Sequence, residues 1–340
     1  MIDTKFLKSV ADQVEGCTSG REAKVDFWLD TENHALNYVV SGDYTKGLPF
    51  GRVIELFGEP STGKSFLIYH WVAEVQKMGG VAILDDSEGA YSESFGQMLG
   101  IDNDALILLS SLTVEEHFEK VFLGWKDSKG KMKPGLVDLI WEKDTNCPIL
   151  VALDSLALLS TRHEQEVMLE KPDMSKAKMI RAALRNSAKW LKRGCLVHVV
   201  ANHVTSKIGV MFGPKTTTPG GSGMPFSASV RLELDYMGKI KEDEKVIGVK
   251  SKVKGSKNRI SAPFKEAELE IIFGKGVDRF SGLFEQMEKY GIITEGEKRG
   301  QYLYNKEMFH KADFNDFIKD KLKPQKSGLA VASTPKTKLA

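Results

Sequence analysis

The chain has 340 residues, 41% of them hydrophobic and 28% charged, enough for a full core and unlike a disordered protein. Its 48 basic and 46 acidic residues leave a formal net charge of +2, so global charge names no partner and any basic surface must arise by local segregation. Three cysteines, Cys17, Cys147 and Cys195, are odd in number and far apart, which excludes a disulfide framework and a CxxC metal site and fits a reducing compartment.

Residues 1–40 hold one short amphipathic helix pattern (Phe6, Val10, Val14) and look too thin to fold alone. No apolar secretory core opens the chain, and no apolar run approaches the ~20 residues of a membrane span. The expected location is the cytoplasm. After Gly51, short apolar runs recur at Val53–Phe57, Val81–Leu84, Leu106–Leu109, Ile149–Leu153 and Leu196–Ala201, with helical patterns between them. That alternation predicts an α/β domain, a mostly parallel sheet flanked by helices. From Ser229 apolar and charged residues alternate at Val230–Tyr236, Val246–Val253 and Leu269–Ile271, which predicts strands with one wet face. A Gly-containing stretch at 274–282 marks a boundary. Residues 283–322 then read as a small, mostly helical domain, and 323–340, with four lysines and no acid, as a disordered basic tail. Residues 126–146, rich in Lys and Gly, read as an insertion before the Ile149 strand.

Gly58, Glu59, Pro60, Ser61, Thr62, Gly63, Lys64 and Ser65 match GxxxxGK[ST] between an apolar strand and the helical run Phe66–Val75. The loop's backbone N–H groups can curl around phosphate oxygens, with the positive end of a helix dipole behind them. Lys64 supplies a charge to the β/γ phosphates of ATP and Ser65 a hydroxyl to Mg²⁺. Asp154 ends a buried strand, where an α/β ATPase carries its Walker B metal carboxylate, and Ser155 could support it. The strand Val81–Leu84 runs into Asp85, Asp86 and Glu88, and one of these carboxylates should activate the attacking water. Spacing alone does not choose between Asp86 and Glu88. Asn202 and His203 end a fourth strand, where polar side chains could touch a γ-phosphate; a lone His at a strand end is more often structural.

Residues 174–193 carry seven basic residues and no acid. Ala177, Ile180, Leu184, Ala188 and Leu191 recur at helical spacing, and Lys178, Arg181, Arg185, Lys189 and Lys192 each follow one residue later. One stripe should pack on the sheet while the other presents cations to a phosphate backbone or simply to water. The loop from Lys207 to Gly223 is too rich in Gly, Pro and Thr for a helix. Its hydroxyls, glycines and apolar tips suit a nucleic-acid backbone with partly unstacked bases; a lid over the nucleotide is the alternative.

Together the GEPSTGKS loop, Gly47–Arg52, Asp86-Ser87-Glu88, Leu153-Asp154-Ser155, the Lys207–Gly221 loop and Lys257–Lys265 closely resemble RecA-type recombinases, from about Leu36 to Phe280. The resemblance implies a RecA-like P-loop ATPase core over 36–280, an N-terminal protomer-docking segment over 1–35 and a small C-terminal α/β domain over 281–322 that gathers duplex DNA. It implies Glu88 as the water-activating carboxylate, Phe95 stacking on adenine, and Ser65 and Asp154 at the metal. DNA-binding loops would span 163–173 and 207–223, with Lys178, Arg185, Lys207, Ile208, Gly209, Gly220 and Gly221 at DNA. Lys257 and Arg259 would reach a neighbour's γ-phosphate. The implied activity is DNA-dependent ATP hydrolysis coupled to strand exchange in a helical filament on single-stranded DNA, with homologous duplex, single-strand-binding and mediator proteins as partners and no membrane. His203 stands where bacterial members usually have Gln and is similar to phage recombinases of the UvsX kind. The insertion departs from the family pattern, and the basic tail from the acidic tail common among bacterial members. A ring-forming helicase and a DNA scaffold with negligible turnover are the rival readings.

Overall fold

The computed structural model describes residues 3–13, 24–166, 175–206, 216–221 and 223–322. Among them, nine strands form the central sheet: β1 (Val53–Gly58), β2 (Val81–Asp86), β3 (Leu106–Leu109), β4 (Ile149–Asp154), β5 (Leu196–Asn202), β6 (Val230–Glu242), β7 (Lys245–Asn258), β8 (Glu266–Ile272) and β9 (Gly276–Val277). Their order is β9-β8-β7-β6-β1-β5-β4-β2-β3. Neighbours from β6 to β3 are parallel, and β7, β8 and β9 extend the sheet in antiparallel fashion. The expected mostly parallel α/β sheet is present. The glycine-containing stretch after Ile272 contributes β9, so the sheet runs further than the apolar runs alone suggest.

The parallel strands are buried on both faces because their side chains alternate between two cores. On β4, Leu150 and Ala152 face one core, and Ile149, Val151 and Leu153 face the other. On β5, Val197, Val199 and Ala201 share the first, Leu196 and Val200 the second. Of the helices, α1 is Thr4–Ala11, α2 is His34–Ser41, α3 is Lys64–Lys77 and α4 is Ser175–Leu191. Helix α3 covers the first core with Leu67, Ile68, Trp71, Val72 and Val75, all fully buried. At about 1.5–3 kcal/mol per large apolar side chain, that burial fixes the helix behind the phosphate motif. Helix α4 covers the second core with Ile180, Leu184, Trp190 and Leu191. Helix α1 buries none of its residues and exposes Phe6, Leu7 and Val10. Val14, the third residue of that pattern, lies outside the described residues.

One segment departs from its periodicity reading and matches the small α/β domain that the resemblance implies. Residues 283–322 are not mostly helical: between helices Leu283–Lys289 and Phe314–Lys319, the strands Thr294–Glu295, Gln301–Tyr304 and Glu307–His310 form an antiparallel sheet. Strands this short carry too few alternations to register as period two. What organises them is aromatic packing: Phe284 meets Tyr302 edge-on at 4.8 Å and Phe314 at 5.1 Å. Residues 125–143 form the hairpin Trp125–Lys126/Met132–Lys133 and a helix, Leu136–Lys143, that buries Val137 and Trp141.

Candidate active site

Strands β1, β2, β4 and β5 all end at the same edge of the sheet, at Gly58, Asp86, Asp154 and Asn202. Register sets Asp86 beside Asp154 and Phe57 beside Asn202. Such an edge, where strand ends and helix N-termini converge, is where α/β proteins bind ligands.

The loop Gly58–Ser65 is held tightly from below. A Cβ on Gly58 would lie 2.2 Å from the Leu234 carbonyl oxygen, and one on Gly63, at φ +93°, 2.3 Å from Ile271 Cδ1. Thr62 Oγ1 donates to the Glu59 carbonyl at 2.9 Å, and the Thr62 carbonyl accepts from Ser251 Oγ at 2.8 Å. Lys64 Nζ curls into the loop and donates to the Gly58 and Glu59 carbonyls at 3.0 and 2.8 Å. Burial lowers its pKa, and the charges of Asp154, Glu88 and Glu59 oppose that fall. The loop is thus a ring of backbone with one cation inside, the arrangement that fits a polyphosphate.

Asp154 is 4% exposed. Burial raises its pKa; a hydrogen bond to Ser65 works the other way, Glu88 and Asp86 add to the rise, and Lys64 opposes it. A buried carboxylate bonded to the loop hydroxyl gives two oxygen donors that suit a hard divalent cation, although no group of three metal-ligating side chains gathers among the described residues. Glu88 Oε1 accepts from Ser155 Oγ at 2.8 Å and lies 2.9 Å from His203 Nε2. Burial pushes the Glu88 carboxyl up, but the bonds to Ser155 and His203, with the charges of His203 and Lys64, outweigh it and hold it below the usual range. Asp86 is differently occupied: Oδ2 accepts from the Tyr91 backbone N–H at 2.7 Å, and Oδ1 is buried without a hydrogen-bond partner. Glu88 lines the cleft and Asp86 does not, which separates the two carboxylates that spacing left open.

The cleft measures about 390 Å³ and brings together Ser61, Lys64, Ser65, Glu88, Asp154 and His203. Its other wall is apolar. Phe95 projects from the short helix Glu93–Met98 and packs edge-on against Phe66 and Tyr69 at 5.5 and 5.8 Å. Phe273 and Ile271 come from the antiparallel wing. Lys257 and Arg259 stand apart from this cleft. Lys257 Nζ donates to the Pro225 and Phe226 carbonyls at 2.6 and 3.1 Å, and Arg259 to Phe226 at 3.2 Å.

Along α4, Lys178, Arg181, Arg185, Lys189 and Lys192 are exposed while Ile180, Leu184 and Leu191 are buried, so the two stripes lie as expected. Lys207, Ile208 and Gly209 lie outside the described residues, as do residues 167–173. The described stem of the second loop is a ribbon, Thr205–Ser206 against Thr216–Thr217. Gly220 and Gly221 follow it with φ +88° and +62°. A Cβ on Gly220 would lie 2.6 Å from Ile180 Cδ1, and one on Gly221 3.1 Å from Ala177 Cβ, so both let the stem lie on α4. Asn202 ties this stem to the nucleotide strand: its Nδ2 donates to Glu55 Oε1 at 3.1 Å and to the Pro219 carbonyl at 3.2 Å.

A family model described as the RecA N-terminal domain matches residues 22–278. The chain belongs to the RecA family. It is 36% identical to "Protein RecA" of Rickettsia prowazekii over 262 residues, 76% of this chain and 71% of that protein. The RecA of Chloroherpeton thalassium is 33% identical over 294 residues, 84% of this chain and 76% of its own length. That of Thioalkalivibrio sulfidiphilus is 32% identical over 344 aligned residues, 97% and 93% of the two chains. As a RecA-family protein this chain is an ATP-dependent DNA recombinase of homologous recombination and repair, and a DNA-dependent ATPase.

Within the RecA family frame, the part of the site that sequence reasoning missed is its support. Val249 and Ile271, on strands far along the chain, and Phe273, in the turn after β8, line the cleft, and no motif marks them. The Glu55–Asn202–Pro219 link was equally silent, because a buried acid inside an apolar strand has no signature until its partner is placed. Arg231, on neighbouring β6, forms an ion pair with Glu55 and makes that buried charge tolerable.

Proposed function

We propose that the cleft binds ATP with its β/γ phosphates in the loop Gly58–Ser65 and its adenine against Phe95. Ser65 and Asp154 would hold Mg²⁺, which supplies charge neutralisation at the phosphates. Glu88 orients the attacking water and takes its proton; its depressed pKa keeps it ionised for that role. His203, bonded to the same carboxylate oxygen, senses the γ-phosphate and passes its state into the adjoining Thr205 ribbon, with Asn202 at the end of β5 as the second strut. The observation that carries this reading is the convergence of Lys64, Asp154, Glu88 and His203 on one cleft whose last member runs directly into a loop stem.

In the assembled protein, Lys257 and Arg259 act on the nucleotide of the next protomer, since both lie outside their own cleft. Residues 1–35, with the unburied apolar face of α1, dock on that neighbour, and the protomers form a helical filament around single-stranded DNA. Lys178 and Arg185 face the phosphates, together with loops 163–173 and 207–223, in which Lys207, Ile208, Gly209, Gly220 and Gly221 meet the backbone and bases. Residues 36–280 form the ATPase core, 281–322 gather homologous duplex, and the basic tail 323–340 leaves duplex entry unrestrained. Single-strand-binding and mediator proteins assist loading in the bacterial cytoplasm. His203 supports a phage recombinase of the UvsX kind as the origin. The test is ATP hydrolysis by the purified protein with and without single-stranded DNA: marked stimulation supports the coupling, and equal rates refute it.

A further inference from the structure

The hairpin at Trp125–Lys133 has no part in the nucleotide cleft, and packing does not account for it. The helix after it does pack, through Val137 and Trp141, but Lys126, Ser128, Lys129, Gly130, Lys131 and Met132 are all exposed. The hairpin's single acid is occupied internally. Asp127 Oδ1 accepts from the backbone N–H groups of Lys129 and Lys131, both at 2.9 Å, and Oδ2 lies 3.8 Å from Lys133 Nζ. Among the described residues, Lys126, Lys129 and Lys131 have no ion-pair partner. The turn therefore folds itself around one carboxylate and presents three uncompensated cations.

A cleft of about 800 Å³, larger in volume than the nucleotide cleft, is lined in part by the hairpin. Its lining includes Trp125, Lys126 and Met132 of the hairpin and Arg162 and Gln165. Its acids, Glu116 and Glu119, are already neutralised by Lys120 and Arg162. Beyond these pairs, Lys126 adds an unpaired positive charge beside an exposed Met132 and a half-buried Trp125. Arg162 opens the short helix Arg162–Glu166 at the start of the proposed first DNA loop.

We infer that the Trp125–Lys133 hairpin is a further nucleic-acid binding element, with Lys126, Lys129 and Lys131 on backbone phosphates. The inference rests on the recombinase reading but goes beyond it, because that reading gives the Trp125–Lys133 hairpin no role. Flexible lysines on a twisted ribbon suit a phosphate ladder: each is a mobile point charge with three donors, needing no fixed fork geometry. Base edges play no part, so the contact is independent of sequence.

The test compares wild type with the Lys126→Gln/Lys129→Gln/Lys131→Gln variant, both as full chains with ATP. Binding of a fluorescent oligonucleotide, single-stranded in one arm and duplex in the other, is titrated from 50 to 300 mM salt, and thermal melting checks the fold. Loss of three phosphate contacts should reduce the slope of log K against log salt by about 2 for single strands or about 2.7 for duplex. The arm that changes names the DNA form this hairpin holds. Unchanged slopes and affinities in both arms, with wild type binding DNA normally, overturn the inference and leave the recombinase reading intact. Failure of the wild type itself to bind either DNA would overturn the underlying reading instead.

Discussion

Replacing Glu88 by Gln isolates the role of its charge. Gln keeps a carbonyl oxygen where Oε1 now meets Ser155 Oγ at 2.8 Å and His203 Nε2 at 2.9 Å, so the cleft keeps its shape. Changing these bonds from charge-assisted to neutral lowers each from about 1.5–3 to about 0.5–1.5 kcal/mol. That cost falls on local stability, while Lys64 and the loop are untouched and nucleotide binding should persist. What disappears is the base. A positioned base is worth about 10²- to 10⁴-fold, or roughly 3–5 kcal/mol of barrier at 1.36 kcal/mol per tenfold. The assay is steady-state phosphate release with saturating ATP and single-stranded DNA, beside nucleotide affinity. The low pKa of Glu88 adds a pH signature. A depressed carboxylate contributes stability and activity above its unfolded value, and both fade only as pH falls through the folded value. No acid limb from Glu88 should therefore appear between pH 5 and 8, and removing its hydroxyl donor with Ser155→Ala should move the limb upward. E88Q hydrolysing ATP within threefold of wild type would refute the assignment and leave the Asp86 carboxylate to be reconsidered.

Lys64→Ala should abolish measurable hydrolysis and the ATP-dependent gain in DNA affinity, read by phosphate release and anisotropy, because it removes the cation inside the loop. Gly58→Ala should destabilise the fold by more than about 2 kcal/mol in urea, since its Cβ would meet the Leu234 carbonyl, which is backbone and cannot turn aside. Arg259→Ala should spare nucleotide affinity but lower DNA-stimulated hydrolysis at least tenfold, as loss of a cation acting in trans does. Mixing R259A with E88Q should then give more turnover than the mean of the two, because mixed interfaces pair an intact base with an intact cation; a mixture at the mean contradicts the trans arrangement.

Much of this site is legible in the sequence because its chemistry is local. The loop Gly58–Ser65 and the strand ends at Asp154 and His203 are each fixed by a run of neighbours, and a parallel sheet gathers strand ends at one edge whatever the loop lengths. Spacing left Glu88 and Asp86 open and the resemblance favoured Glu88; the fold adds a physical reason, since one reaches the cleft and the other holds the Tyr91 backbone. The apolar wall from Ile271 and Phe273 was illegible, since nothing in an alternating strand says which of its residues will face a ligand. The same limit hid the small sheet at 294–310, whose strands are too short for periodicity and whose order comes from aromatic contacts made across the chain.

The most direct test of the central claim is strand exchange between circular single-stranded DNA and linear duplex by the purified protein. With ATP and homologous duplex, joint molecules and then nicked circular product should form, and neither should form with heterologous duplex or without nucleotide. Unwinding of a forked duplex lacking any homologous partner, with no joint molecules in the homologous reaction, would contradict the account and point to a motor built on the same fold.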